Sequence, residues 1–498
     1  MTPTASPARH RVFALVSLSA LALGIVALGA PGVFSQGGSG ATVPAAPAAS
    51  PAPAQPPGAA PGTTGGFDFA ANREEIFKAF YQTGLDTSKA YSVANLAIKK
   101  DNMTLLLKQG TVFLMQPIGG EVTGAAFIGE GEASMTPPNR TQRFMLNKYY
   151  GAESLKEPFT EAVFRFSDGT SKTFIGAGKP GSADATASAK ASQVFSERNG
   201  WLDGTRELHL EMQFLENRIS GLKDQDFFVA DFHTGTHDWL IYTYNPQEIQ
   251  ENQLIASGSM GTKSRRYLVP WCRWHKQSDY DPSGHYVLLP DRDGPRVIRV
   301  KHHEMILNLR NTKTVEWDVK TTAAALMGNL RCLRFDLVNN AHWDSRWYDD
   351  AFWPSTVVSV TDPSGAPLPF IHKKDQLLVL LPAPANAGST VNIMAKGRAD
   401  MIYQVTAESF GLIQARWYPQ YGQRGGRATF HWTIRVPRPF TVTGSGRLVR
   451  EFEDKETNQN GIELASDTAV NFPWAIFGKF RKAENLYLGE ESNKSVKL

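Results

Sequence analysis

The sequence predicts a mainly β protein, an α+β N-terminal domain followed by an all-β sandwich. Three observations carry this expectation. Short apolar or alternating segments, separated by Gly, Pro and Asp turns, recur from residue 97 to residue 436. Clear helical spacing is confined to two stretches, both before residue 220. Beyond residue 297 nearly every apolar run has the length and alternation of a strand.

The first element is a helix over Asn72 to Gln82, where Phe69, Ile76, Phe77, Phe80 and Tyr81 gather on one side. Ala97–Lys99, Met103–Leu107 and Thr111–Pro117 follow as strands, and Gly119-Gly120 turns the chain into Val122–Ile128, giving a meander. Ala162–Phe166, Ser167–Thr170 and Lys172–Ile175 read as a hairpin, because Asp168-Gly169 readily takes the positive φ angles of a tight turn. Gly176–Ala191 is small and polar, an expected exposed loop. Leu208, Met212, Leu215 and Ile219 mark one face of a second helix, and Phe227–Phe232 and Trp239–Tyr244 resume the strands.

Between Leu289 and Arg296, Pro290, Asp291, Asp293, Gly294 and Pro295 interrupt every periodic pattern, so a domain junction is expected there. Val297–Val300, Glu304–Leu309, Thr314–Thr321, Val357–Val360, Leu377–Leu381 and Val391–Ala395 are strands, with a turn at Asp362-Pro363-Ser364-Gly365. Phe430, Trp432, Ile434 and Val436 alternate with Thr429, His431, Thr433 and Arg435, as in a strand with one buried face.

Composition narrows the function. A content of 42% hydrophobic and 20% charged residues suits an ordinary globular protein with a sizeable core. A formal charge of +4 without a concentrated Lys/Arg run argues against nucleic acid as a partner. Arg9, His10 and Arg11 ahead of an apolar stretch from Val12 to Ala30 read as an export signal over residues 1–35, with cleavage after Ser35; an uncleaved anchor is the other reading and the one route to a membrane. The expected location is therefore periplasmic or extracellular. Residues 36–66 are almost entirely Ala, Pro, Gly, Ser and Thr, a linker that cannot bury a core. Two Cys, Cys272 and Cys332, make no disulfide framework, and Cys332 within Leu330-Arg331-Cys332-Leu333-Arg334-Phe335 reads as a core side chain on a strand.

From 296 to 485 the chain resembles the N-terminal, saddle-like domain of M1-family zinc aminopeptidases. The resemblance rests on Lys301-His302-His303-Glu304-Met305-Ile306-Leu307-Asn308-Leu309, on Leu377–Pro384 before Gly388, on Trp417-Tyr418-Pro419-Gln420 leading into Ala428–Pro437, on Gly446-Arg447-Leu448 and on Phe472–Phe480. Residues 67–292 resemble an extra domain found ahead of such modules in some bacterial proteins, through Lys108–Leu114 and Phe127–Glu132. Residues 486–498 form a tail.

The resemblance implies catalysis by zinc held on a helical His-Glu-x-x-His segment plus a distant Glu, with a Gly-x-Met-Glu-Asn substrate motif. Neither motif is present. His303-Glu304-Met305-Ile306 continues with Leu307 instead of His and lies on an expected strand. No catalytic residue, cofactor or metal is therefore expected in this chain, zinc entering only with a separate catalytic domain. The best metal-like cluster is Asp231, His233, His237 and Asp238, set against a reading of Thr234-Gly235-Thr236 as a surface turn. The aromatic, acidic run from Trp343 to Trp353 offers Trp343, Trp347, Tyr348 and Trp353 as a binding surface, set against packing on the sandwich edge. The expected function is an exported, non-catalytic M1-like protein that binds protein or peptide. The alternative is the front half of a truncated or split M1 zinc metallopeptidase.

Overall fold

The computed structural model describes residues 67–181, 183–204, 208–260, 265–287, 294–339, 355–412, 416–421, 426–480, 486–488 and 495–497. Its first sheet-forming region runs through α1 (Arg73–Gln82), β1 (Leu85–Lys100), β2 (Met103–Met115), β3 (Gly124–Met135), α2 (Arg140–Tyr150), β4 (Leu155–Phe166), α3 (Thr170–Ala177) and β5 (Lys179–Gly181). Then come α4 (Ala185–Gly204), α5 (Leu210–Ser220), β6 (Phe228–Thr234), β7 (Asp238–Tyr244), β8 (Asn252–Met260) and β9 (Arg265–Trp274). The nine strands form one antiparallel sheet in the order β5-β1-β2-β3-β4-β6-β7-β8-β9. Apart from β5, the strands neighbour one another in chain order; the meander expected over residues 97–128 is made of three strands and not four, because Met103–Leu107 and Thr111–Pro117 fall on the single strand β2.

Two features curl the sheet. Gly110 and Gly129 oppose one another on β2 and β3, where a Cβ on Gly129 would sit 2.2 Å from the Gln109 carbonyl oxygen. The backbones can therefore crowd and bend there. At about 4.8 Å per strand, a flat sheet would put the β1–β2 turn more than about 20 Å from β8 and β9. Instead Asn252 Nδ2 donates to Asp101 at 2.9 Å and Trp274 Nε1 to Asn102 at 3.0 Å.

Strand alternation divides the sheet into two faces. One is aromatic: Phe127, Phe159, Phe164, Phe228, Phe232, Tyr242, Trp271 and Trp274 pack with Leu146 of α2 and Phe174 of α3. The other is covered by α1, α4 and α5, through Phe80, Val194, Phe195, Phe214 and Leu215.

Two sequence expectations are corrected. Lys172–Ile175 belongs to α3, so Asp168-Gly169 does not close a hairpin. Both edges of β4 are already taken by β3 and β6, and the Asp168 carboxylate instead accepts the Thr170 amide at 3.1 Å, starting a helix. Gly176–Ala191 is not a loop throughout, since it contains β5 and the first turns of α4. Asp184 caps that helix by accepting the Ala187 amide at 2.8 Å, and its Ala-rich opening has high helix propensity without an apolar stripe.

The remaining strands are β10 (Ile298–Leu309), β11 (Val315–Ala325), β12 (Leu330–Asp336), β13 (Ser355–Thr361), β14 (Phe370–Lys373), β15 (Gln376–Ala385), β16 (Thr390–Ala399), β17 (Tyr403–Thr406), β18 (Ser409–Leu412), β19 (Thr429–Pro437), β20 (Thr441–Gly444), β21 (Arg447–Asp454), β22 (Gln459–Ala465) and β23 (Ala475–Gly478). A seven-stranded sheet, β13-β16-β11-β10-β19-β22-β21, packs against a three-stranded sheet, β12-β15-β14, and a four-stranded sheet, β17-β18-β23-β20. The β10–β19 pair is parallel. On β19 the expected alternation holds, with Phe430, Trp432, Ile434 and Val436 buried. The tail contains a short antiparallel pair, Leu486–Leu488 with Ser495–Lys497. Of the expected junction, residues 289–293 lie outside the described ones, as do residues 1–66 with the expected signal and linker. Among the described residues no helix is long and apolar enough to cross a membrane.

Candidate functional site

The four metal-like residues sit on the β6–β7 hairpin: Asp231 and His233, two apart on β6, share the helix-covered face, while His237 in the turn goes to the other. Asp231 is buried on the helix-covered face, where Arg198 Nε contacts Oδ2 at 2.7 Å and the guanidinium lies over Trp239. Burial pushes the Asp231 carboxyl up to about 6, against the opposing pull of Arg198. His233 Nε2 lies 3.7 Å from Asp238. His237 turns to the aromatic face, 3.5 Å from Glu157 and edge-on to Trp271. Among the described residues no three His, Cys, Asp or Glu side chains are placed to hold a metal ion.

His303 lies on β10, inside the sandwich. Its Nδ1 is 3.1 Å from the Thr321 hydroxyl and its ring stands edge-on to Tyr418. Burial pulls its pKa down to about 3, so the imidazole is neutral. Glu304 points to the opposite, solvent side and meets Lys320 at 3.0 Å. Trp343, Trp347, Tyr348 and Trp353 lie outside the described residues. Cys272 and Cys332 are free and buried, in cores on opposite faces of the nine-stranded sheet.

Sequence reasoning missed a polar seam around α5. The helix is wedged between the nine-stranded sheet and the three-stranded sheet, so its polar side is buried along with its apolar one. Arg334 Nε on β12 meets Glu216 Oε2 at 2.9 Å, with both side chains 1% exposed, and Gln247 bonds both partners. Gln213 and Asn245 exchange a reciprocal amide pair at 2.8 Å. At the other end of the seam Lys374 lies 3.0 Å from Glu211 and over the Tyr81 ring. The Leu208/Met212/Leu215/Ile219 stripe gives no sign of this, because an amphipathic helix ordinarily turns its polar side to water.

The sheet edges offer a different kind of site. An edge strand presents unpaired N–H and C=O groups, which proteins usually blunt with charge, bulges or cover. At β21 this is done by Arg447, Arg450, Glu451, Glu453 and Asp454, with a register break between Leu448 and Arg450. The outer side of β13 is covered: the Leu368 amide donates to the Val360 carbonyl at 2.9 Å and the Ser355 amide to Val338 at 3.0 Å. On β20's flank, Asn460 of β22 donates to the Phe440 carbonyl at 2.7 Å. In contrast β17, Tyr403-Gln404-Val405-Thr406, ends its sheet without a charge or a proline, and all four residues are exposed. A register step leaves Val405 unpaired. Tyr403 and Val405 are 44% and 46% exposed.

No family model matches this chain, and no curated protein does either. Among solved structures, an M1 zinc metallopeptidase from Deinococcus radiodurans is 17% identical, covering 41% of this chain and 47% of its own, with a TM-score of 0.33. A mutant of it bound to a Tyr-Ser-Ala substrate gives 15%, 41%, 47% and 0.33. Legionella pneumophila aminopeptidase A in complex with aspartic acid is 14% identical over 40% of this chain and 23% of its own, with a TM-score of 0.30. The chain spans less than half the length of each of these proteins.

Proposed function

We propose that this chain is an exported, non-catalytic protein, M1 aminopeptidase-like in its second half, that binds protein or peptide by strand addition at β17. The observation behind the reading is the contrast among these edges: charge or a covering segment attends β21, β13 and β20, while β17 is exposed and uncharged. An extended peptide laid along it would gain main-chain hydrogen bonds, and the side chains of Tyr403 and Val405 would supply apolar contact and selectivity. Export is supported by the basic flank and apolar stretch at residues 9–30.

The test is fluorescence anisotropy with a panel of labelled, unstructured dodecapeptides. Binding by the wild-type chain and a loss of at least about tenfold in Tyr403→Lys/Val405→Lys, with unchanged thermal unfolding, is the expected result; one factor of ten is about 1.4 kcal/mol. Equal affinities for the two proteins would refute β17 as the docking edge.

A further inference from the structure

Helix α2 has a composition and exposure that its packing does not explain. It carries Arg140, Arg143 and Lys148 and has no Asp or Glu. Its inner side is held by buried Leu146, by Gln142, which accepts the Arg273 amide at 3.0 Å, and by Arg143, which donates to the Pro138 carbonyl at 2.9 Å and faces Glu153 at 3.7 Å. The outer side follows the i, i+4, i+8 line Arg140–Phe144–Lys148. Phe144 is 64% exposed and Tyr149, beside that line, 39%. Arg140 has no carboxylate partner among the described residues, and Lys148 is held only over the Tyr149 ring, at 5.6 Å.

We propose that α2 is a docking helix for an anionic lipid surface, with Phe144 inserted at the headgroup boundary and Arg140 and Lys148 paired with lipid phosphates. Charge complementarity favours lipid as the occupant. Two cations with no carboxylate partner among the described residues flank an exposed aromatic ring on a helix free of acid, the pattern by which surface helices bind anionic bilayers. Long cationic side chains can reach the phosphates while the ring sits deeper. The helix is fixed at both ends, since the Asn139 side chain accepts the Gln142 amide at 2.8 Å and Gly151 closes it in the left-handed conformation. It therefore needs no folding step to dock. The surface is separate from β17 and does not depend on peptide binding there.

The full chain carries an apolar N-terminal stretch that could itself meet lipid, so the test reads the helix locally. An environment-sensitive fluorophore is placed at Phe144→Cys and, as a control, at Ile175→Cys on α3, an apolar side chain 48% exposed; both native Cys are buried. With vesicles of 30% phosphatidylglycerol in phosphatidylcholine, the label at 144 should shift blue and brighten at least about threefold. Pure phosphatidylcholine vesicles or Arg140→Glu/Lys148→Glu should abolish the response, and the label at 175 should stay unchanged. Equal responses at 144 and 175, or an unchanged response after the charge reversals, would overturn the proposal. So would a label at 144 that ignores vesicles and shifts only with acidic protein.

Discussion

The two faces of the nine-stranded sheet solve the burial problem in opposite ways. On the aromatic face, rings contact rings in sequence: Phe164 with Phe174 and Phe228, Phe228 with Tyr242, Tyr242 with Trp274. Burial of large apolar area dominates such a core, with ring–ring geometry adding a smaller share. The helix-covered face instead buries Arg165, Arg198, Glu211, Glu216 and Asp231. Among the described residues Arg165 has no direct carboxylate partner. It donates to the Thr123 and Phe80 carbonyls and to Asn199, stacked over Phe80. Burial lowers its pKa to about 10, still charged at neutral pH. Each such group has a narrow geometry in which it is satisfied, so this face fixes how α4, α5 and the three-stranded sheet sit against the strands.

That contrast is broken most severely at the seam. Arg334→Ala leaves Glu216 charged, buried and short of its partner, and should cost about 3–5 kcal/mol of unfolding free energy. Replacing both, Arg334→Met with Glu216→Leu, should return stability to within about 1 kcal/mol of wild type, because the desolvation cost disappears with the pair. Urea unfolding of the three proteins decides it. A single-variant loss below about 1 kcal/mol would mean that water reaches the seam.

A smaller effect separates the buried acid of the helix-covered face from the buried base of the sandwich core. Asp231, raised to about 6, binds its proton in the folded state before the unfolded chain does. Its stabilising contribution is complete below the unfolded pKa near 3.9 and is lost as pH rises through about 6. His303, lowered to about 3, has the opposite sign: its contribution is complete above about 6.5 and is lost as pH falls toward 3. His372, lowered to about 4 by burial, adds with the sign of His303. Between pH 4 and 6 Asp231→Asn should therefore make stability rise more steeply with pH than in wild type, and His303→Gln less steeply. Each change is at most about 1.4 kcal/mol per pH unit. Slopes that move together would show that one of the two groups is hydrated.

What the sequence revealed follows the same division. Apolar periodicity marked α1 and β19, since a face buried against a single core writes its period directly into the chain; Gly110 in the middle of β2 instead split one strand into two expected ones. The seam left no such mark: Glu216 and Arg334 are 118 positions apart, and a polar side chain bound for burial looks like one bound for water. In the Asp231–Asp238 cluster, proximity along the chain says nothing of what each side chain is bound to: Asp231 is engaged by buried Arg198 and His237 turns to the other face, leaving His233 beside Asp238. Asp168-Gly169 is locally ambiguous, and occupancy of both β4 edges, a tertiary fact, selects the helix. Nothing in Tyr403–Thr406 marks an edge, because edge position belongs to sheet order and not to composition.

The mildest perturbation belongs to the aromatic face. Phe164→Leu removes part of one ring from a cluster whose neighbours lie 5.5 Å (Phe174) and 6.1 Å (Phe228) away, centroid to centroid. The surrounding rings can relax into some of the vacated volume, so the cost should be about 1–2 kcal/mol. No charged group loses a partner, and the pH dependence of stability should superimpose on that of wild type after a constant offset. A pH-dependent difference would mean that Glu157 and His237, the acid–base neighbours on this face, sense the ring packing. The aromatic face would then share the specificity otherwise confined to the helix-covered side.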